Sequence, residues 1–280
     1  MKAHFYPFDV KYNTTVETPI QGFKDECVLA AKKASERNIN NLPLVVLLSG
    51  GIDSELVATS LLLAGITFKA VIGQYITDTI CNKTYFNHYD IALAEKWCND
   101  NKIEVIYCEI DVYQQSKLLC EYALSAQCSS PQYACYMYMM KWCTEHGLYF
   151  LTGMSEIDIV LRDDIYYSVD EQREHGINNF CVLHSLTGQW NFWKYDCRLT
   201  TAFLQLPMVQ TLMSAKVPHL LNFKHACFSD AFLFEPREKY TGFEHLLEWD
   251  GALRVPLRNV MGKYDEKNYT PISIFEGKLQ

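Results

Sequence analysis

Residues 44 to 58, Leu44-Val45-Val46-Leu47-Leu48-Ser49-Gly50-Gly51-Ile52-Asp53-Ser54-Glu55-Leu56-Val57-Ala58, decide how this chain is built. Five apolar and mostly branched residues predict a buried strand. The apolar spacing that resumes at Leu56 predicts a helix, so the small polar residues between them form a tight strand-to-helix turn. Gly50 and Gly51 carry no Cβ, which lets the backbone wrap around an anion with several N–H groups aimed at it. The helix that follows adds its unpaired amides and the positive end of its dipole. Ser49 and Ser54 offer hydroxyl donors to phosphate oxygens, while Asp53 repels phosphate and is suited to hold Mg²⁺ beside it. The spacing and the lysine of the Walker loop are absent.

Working outward, Phe23 to Arg37 has helical apolar spacing and ends in the polar turn Asn38 to Asn41. The aromatic stretch His4 to Tyr12 is expected to make one or two short strands. After the central motif, Phe68 to Tyr75 predicts a second strand, Tyr89 to Asn101 a helix, and Ile103 to Ile110 a third strand. Pro131 suits the first turn of a helix running to His146, Gly147 stops it, and Leu148 to Thr152 is a fourth strand. This alternation predicts an α/β fold, a doubly wound parallel sheet with helices on both faces. Ligands of such sheets sit beyond the carboxyl ends of the strands. Beyond residue 165 no motif stands out. We expect residues 1–165 to form the phosphate-binding domain with an amino-terminal extension, and residues 166–280 to form a mainly helical substrate or interaction region packed on it.

The fourth strand ends in Gly153-Met154-Ser155-Glu156-Ile157-Asp158, a second gathering of small residues and carboxylates at a strand tip. Gly153 lets substrate or pyrophosphate come close, and Glu156 or Asp158 is placed to share a metal with Asp53 or to neutralise an amine. An acidic helix start would look the same.

The pattern Ser-Gly-Gly-x-Asp-Ser at 49–54, behind an apolar strand, resembles the PP-loop of the N-type ATP pyrophosphatases. That superfamily includes asparagine, NAD and GMP synthetases, tRNA lysidine and thiouridine synthetases, and 7-cyano-7-deazaguanine synthase. The resemblance implies a Rossmann-like sheet of the adenine nucleotide α-hydrolase type, with ATP and Mg²⁺ as cofactors. It also implies cleavage between the α and β phosphates, leaving AMP on a substrate oxygen for a nucleophile to displace. ATP would then rest on Ser49, Gly50, Gly51, Asp53, Ser54 and Gly153, with the adenine near Gly73, Gln74 and Tyr75. Asp53 and Asp158 are the expected metal ligands, and Asp53, Glu156, Asp158 and Lys239 the expected catalytic residues. Members of the superfamily bring a late cation to the phosphates. Lys224, Arg237 and Lys239 are candidates by chain position alone, against the commoner role of a solvated surface charge.

Over residues 20 to 165 the order of elements is most similar to the synthetase half of asparagine synthetases. This implies an ATP-dependent ligase that adenylates a carboxylate or carbonyl and transfers ammonia or an amine to it. Met1 is followed by Lys2 rather than the catalytic cysteine of a glutaminase domain, so the expected nitrogen source is free ammonia or a partner. The acidic loop departs from that family's pattern, since Ile157 stands where the first acid of its pair would fall; Ser155-Glu156 is closer to the NAD synthetase version. The zinc cluster of a deazaguanine synthase and the Cys-x-x-Cys pair of a sulfur transferase are missing. A nucleobase- or tRNA-modifying enzyme, and a nucleotide-binding protein that has lost turnover, are the alternatives.

The 280 residues suffice for one large domain or two small ones. No run of eighteen apolar residues and no basic-then-apolar amino terminus is present, so we expect a cytoplasmic protein that binds a small molecule and no membrane. The net charge of −8 argues against wrapping of nucleic acid. Eleven scattered cysteines read as reduced core residues. Arg162, Asp163 and Asp164 are expected to face solvent. The block Trp190, Phe192, Trp193 and Tyr195, broken by Asn191 and Lys194, is expected in the core or on a homodimer face. His175, Cys181 and His184 match no common zinc spacing.

Overall fold

The computed structural model describes residues 19–77, 84–112, 114–128, 131–195, 197–229, 231–234 and 267–276. The expected strands in His4 to Tyr12 and the candidates Arg237 and Lys239 lie outside the described residues. Helix α1 (Phe23–Glu36) leads into β1 (Leu44–Leu47) and α2 (Ile52–Leu63). Then follow β2 (Lys69–Thr77), the two-residue β3 (Thr84–Tyr85), α3 (His88–Asn101), β4 (Val105–Asp111), α4 (Ser116–Ser125), α5 (Pro131–Glu145) and β5 (Tyr149–Thr152). Each strand and helix expected between residues 23 and 152 is present to within a few residues.

Strand β1 lies between β2 and β5, parallel to both, while β4 pairs parallel with β2 on its other side. The chain thus runs outward from β1 through β2 to β4, then returns to the opposite side of β1 as β5. That reversal makes the carboxyl ends of β1 and β5 the switch point where a crevice opens. The register places Leu47 beside Thr152, so the loops after both strands leave the sheet at the same level. β3 pairs antiparallel with the end of β2.

Successive residues of β1 feed two cores, as the two-residue period of a strand requires. Leu44, Val46 and Leu48 pack with α1, α2 and α3, while Val45 and Leu47 pack with α4 and α5. Both faces are covered, which explains why the strand is apolar without alternation.

After β5 come β6 (Ile159–Arg162), β7 (Ile165–Glu171), α6 (Gln172–Leu183), the short β8 (Gly188–Gln189) that pairs parallel with β5, α7 (Cys197–Leu204) and α8 (Pro207–Ser214). A 3₁₀ turn (Leu220–Phe223) runs directly into α9 (Lys224–Ser229). β6, β7 and β9 (Lys267–Pro271) form a separate antiparallel sheet, which with α4 is absent from the sequence expectation. The β6–β7 hairpin turns on Asp163 and Asp164, both exposed and at positive φ, and Lys216 pairs with Asp164 at 2.7 Å. Phe192 and Trp193 are core residues; Trp193 stacks on Phe228, which stacks in turn on Phe23 of α1. The ten cysteines among the described residues are free thiols, most of them buried. No helix among the described residues is long and apolar enough to cross a membrane.

α1 is tied to α7 by a buried ion pair. Arg198 donates from Nε to Glu26 Oε2 at 2.6 Å and from Nη2 to Glu26 Oε1 at 2.5 Å, and Nη2 also reaches the Pro19 carbonyl at 2.9 Å. The Glu26 side chain is 1% exposed. Removing one partner leaves a buried charge uncompensated. Glu26→Ala is therefore expected to lower the unfolding free energy by about 3–5 kcal/mol. Glu26→Leu combined with Arg198→Met is expected to recover much of that loss. Urea denaturation of the single and double variants measures both.

Candidate active site

The loop after β1 is shaped by contacts that exclude other residues. Gly50 adopts φ +71°, and a Cβ there would meet the Asp90 carbonyl oxygen at 2.4 Å, so position 50 requires glycine on both counts. Gly51 precedes the first turn of α2. The Ser54 hydroxyl donates to the Gly51 carbonyl at 3.0 Å and accepts the Ser49 N–H at 3.1 Å, with Ser49 Oγ 3.2 Å away. Ser54 therefore braces the loop from within.

The tip of β5 presses against this loop. A Cβ on Gly153 would lie 2.6 Å from both the Asp53 carbonyl carbon and the Ser54 nitrogen. Glycine is thus needed for the close approach of two backbones, and Trp193 Nε1 secures it by donating to the Gly153 carbonyl at 3.2 Å. Two residues on, Ser155 stands at φ +62° and turns the chain before Glu156.

The turn, together with α9, assembles the charged centre. Lys224 Nζ donates to Asp53 Oδ2 at 2.7 Å and to Glu156 Oε2 at 2.5 Å. Burial alone would lower the pKa of this ammonium, but the two carboxylates outweigh it and hold the pKa well above its ordinary value. Burial, then the nearby Asp53 charge, pushes the Glu156 carboxyl up despite Lys224. The other oxygen of Asp53, Oδ1, is buried and has no hydrogen-bond partner. Asp158 is held elsewhere, 2.6 Å from His219 Nε2. The two acids that the sequence left as alternatives are thus in different company: Glu156 shares a cation with Asp53, and Asp158 lies against His219.

These residues line one wall of a cleft of about 230 Å³. Tyr133, Arg173, Glu174 and Lys194 line the same cleft. The Lys194 side chain, 8% exposed, reaches Asp170 at 3.1 Å, Glu174 at 3.0 Å and the Val169 carbonyl at 2.8 Å. The Arg173 guanidinium lies over the Tyr133 ring at 4.8 Å and pairs with Glu171, which also pairs with Lys267 at 3.0 Å.

The Gly73 region forms a separate, tight niche. A Cβ on Gly73 would touch Met139 Sδ at 2.5 Å, and Asn87 bridges the Gly73 carbonyl and the Tyr75 N–H. The niche there has about 20 Å³, and Gln74 is half-buried beside it. That is room for roughly one water. His184 packs against Phe180, and no group of three potential metal ligands occurs among His, Cys, Asp and Glu of the described residues.

A magnesium ion fits the centre on chemical grounds. Mg²⁺ is commonly held by one or two carboxylates, the remaining ligands being waters and substrate phosphates. Asp53 Oδ1 is a buried carboxylate oxygen without a partner, with Glu156 across the same ammonium. His219 and the Lys194 ion-pair group carried no sequence signal, apart from the oddity of a lysine inside an aromatic block. Lys224 was visible only as one of several late cations.

No family model matches the sequence, and no curated protein matches it. Among solved structures, the chain is similar to NMN synthetase from Francisella tularensis, at 18% identity over 46% of this chain and 52% of that one, with a TM-score of 0.33. It is also similar to the NH3-dependent NAD synthetase from Campylobacter jejuni, at 15% identity over 87% of this chain and 94% of that one, again with a TM-score of 0.33. The chain spans about half the length of the first and nearly all of the second. At these values no chemistry is transferred from either.

Gly153→Ala forces the β5 tip away from α2. The expected outcome is a loss of about 1–3 kcal/mol of stability from overpacking, which thermal unfolding of wild type and variant measures.

Proposed function

We propose that this chain is an ATP-dependent ligase of the PP-loop type, forming AMP and pyrophosphate as it joins ammonia or an amine to a substrate carboxylate. The observation that carries the reading is the centre at the switch point. A glycine-shaped loop opens a helix beside a buried, unpartnered carboxylate oxygen of Asp53, and Lys224 stands between Asp53 and Glu156. The resemblance of residues 49–54 to the PP-loop supports it.

In this reading the loop amides and the amino terminus of α2 bind the triphosphate, with Ser54 fixing their directions. Asp53 and Glu156 would hold Mg²⁺, which would supply positive charge to the phosphate oxygens. A substrate carboxylate oxygen attacks the α phosphorus as the bond to the β,γ-pyrophosphate breaks. Lys224 neutralises the charge that collects on the leaving pyrophosphate. The amine then attacks the acyl carbon, AMP departs, and the amine's proton passes to solvent. No side chain serves as nucleophile, so the acceleration comes from positioning and fixed charge. The part of the cleft held by the Lys194, Asp170 and Glu174 ion pairs orients the acceptor. Free ammonia or a partner protein supplies the nitrogen, and the cytoplasm is the expected setting.

The test is product identity. Incubation with Mg·ATP, ammonium and a panel of carboxylic acids is expected to release AMP and pyrophosphate in a manner that depends on one acid. ADP and phosphate as products would exclude the mechanism. Asp53→Asn keeps the size of the side chain and is expected to lower turnover by about two orders of magnitude or more, with the circular dichroism spectrum unchanged. Retained turnover would refute the assignment of Asp53.

A further inference from the structure

Lys224 occupies the position that the proposed reading gives to a metal ion. Its ammonium contacts one oxygen of Asp53 and one of Glu156, the two carboxylates that would hold Mg²⁺. An ammonium and a divalent cation repel each other and cannot both bridge this pair. While Lys224 stays, Asp53 Oδ1 is the one oxygen of Asp53 left without a partner. A single carboxylate oxygen is a poor site for an ion that prefers several oxygen ligands.

We propose that Lys224 is an internal stand-in for the metal, excluding divalent cations from Asp53 and Glu156 until a triphosphate enters and draws the ammonium away. The metal is then bound with the nucleotide and not before it. The proposal rests on the ATP-site reading above and adds an order of events to it. The path for the lysine is short. Lys224 is the first residue of α9, directly after the 3₁₀ turn. Its side chain is unbranched and 31% exposed, and it lines the same cleft as Ser49 and Ser54. Rotation about side-chain bonds is enough to transfer it from carboxylates to phosphate oxygens. The neighbouring charges do not compete for it, because Asp158 is engaged by His219, and Asp170 and Glu174 by Lys194.

The experiment is a Mn²⁺ titration followed by electron paramagnetic resonance at pH 8, using wild type and Lys224→Met, each with and without α,β-methylene-ATP. Without nucleotide, Lys224→Met is expected to bind Mn²⁺ at least about tenfold more tightly than wild type, because the stand-in cation is gone. In wild type, the analogue is expected to raise Mn²⁺ affinity beyond what the analogue itself holds in solution, and this gain should shrink in the variant. Equal Mn²⁺ affinity of the two proteins without nucleotide would overturn the proposal, including the case in which neither binds. If Lys224→Met does not fold, the wild-type arms decide: equal Mn²⁺ affinity with and without the analogue overturns the proposal, and a gain supports it. Failure of α,β-methylene-ATP to bind wild type, measured separately by calorimetry without metal, would instead sink the ATP-site reading. The nucleotide-free comparison still tests Lys224.

Discussion

The contact between the end of β5 and the first turn of α2 sets the geometry of the cleft. Two backbones approach so closely at Gly153 that no Cβ fits between Gly153 and residues 53 and 54. This is possible because β1 and β5 are neighbours in parallel register, with Leu47 opposite Thr152, so their loops emerge together. Were the register shifted by one residue, every side chain of the strand would change face and the two loops would separate.

Once the two loops meet, two carboxylates from distant parts of the chain come together, and the problem becomes one of charge. Burial, and after it the nearby Asp53 charge, pushes the Glu156 carboxyl up. Lys224, arriving from a third segment, makes the pair tolerable. Elsewhere in the cleft the same problem is solved separately, with Lys194 buried among Asp170, Glu174 and a carbonyl oxygen. The Glu26–Arg198 pair does different work: it lies away from the cleft and anchors α1 to α7.

Much of the α/β core could be read directly because its signals are local. A run of branched apolar residues, two glycines and a renewed helical period specify strand, turn and helix within fifteen residues, and Pro131 and Gly147 bound α5 and its end with equal clarity. The antiparallel sheet was not legible, because β7 joins β9 across about a hundred residues and neither strand has an alternating pattern strong enough to announce itself. The short helix α4 was missed for want of flanking caps or glycines.

The tight turn after β1 was legible in the sequence by itself, because glycines and small hydroxyls between an apolar strand and a helix act over a few adjacent positions. The pairing of the charged groups followed only from the tertiary structure. Chain order offered Glu156 and Asp158 as equals and placed Lys224 among several late cations, since the electrostatic energy that distinguishes them depends on distances through space. In the fold, Lys224 lies 2.5 Å from Glu156, while Asp158 lies 2.6 Å from His219. Residues separated by as many as 171 positions were brought together by the packing of α9 against the strand tips, and no local pattern encodes that encounter.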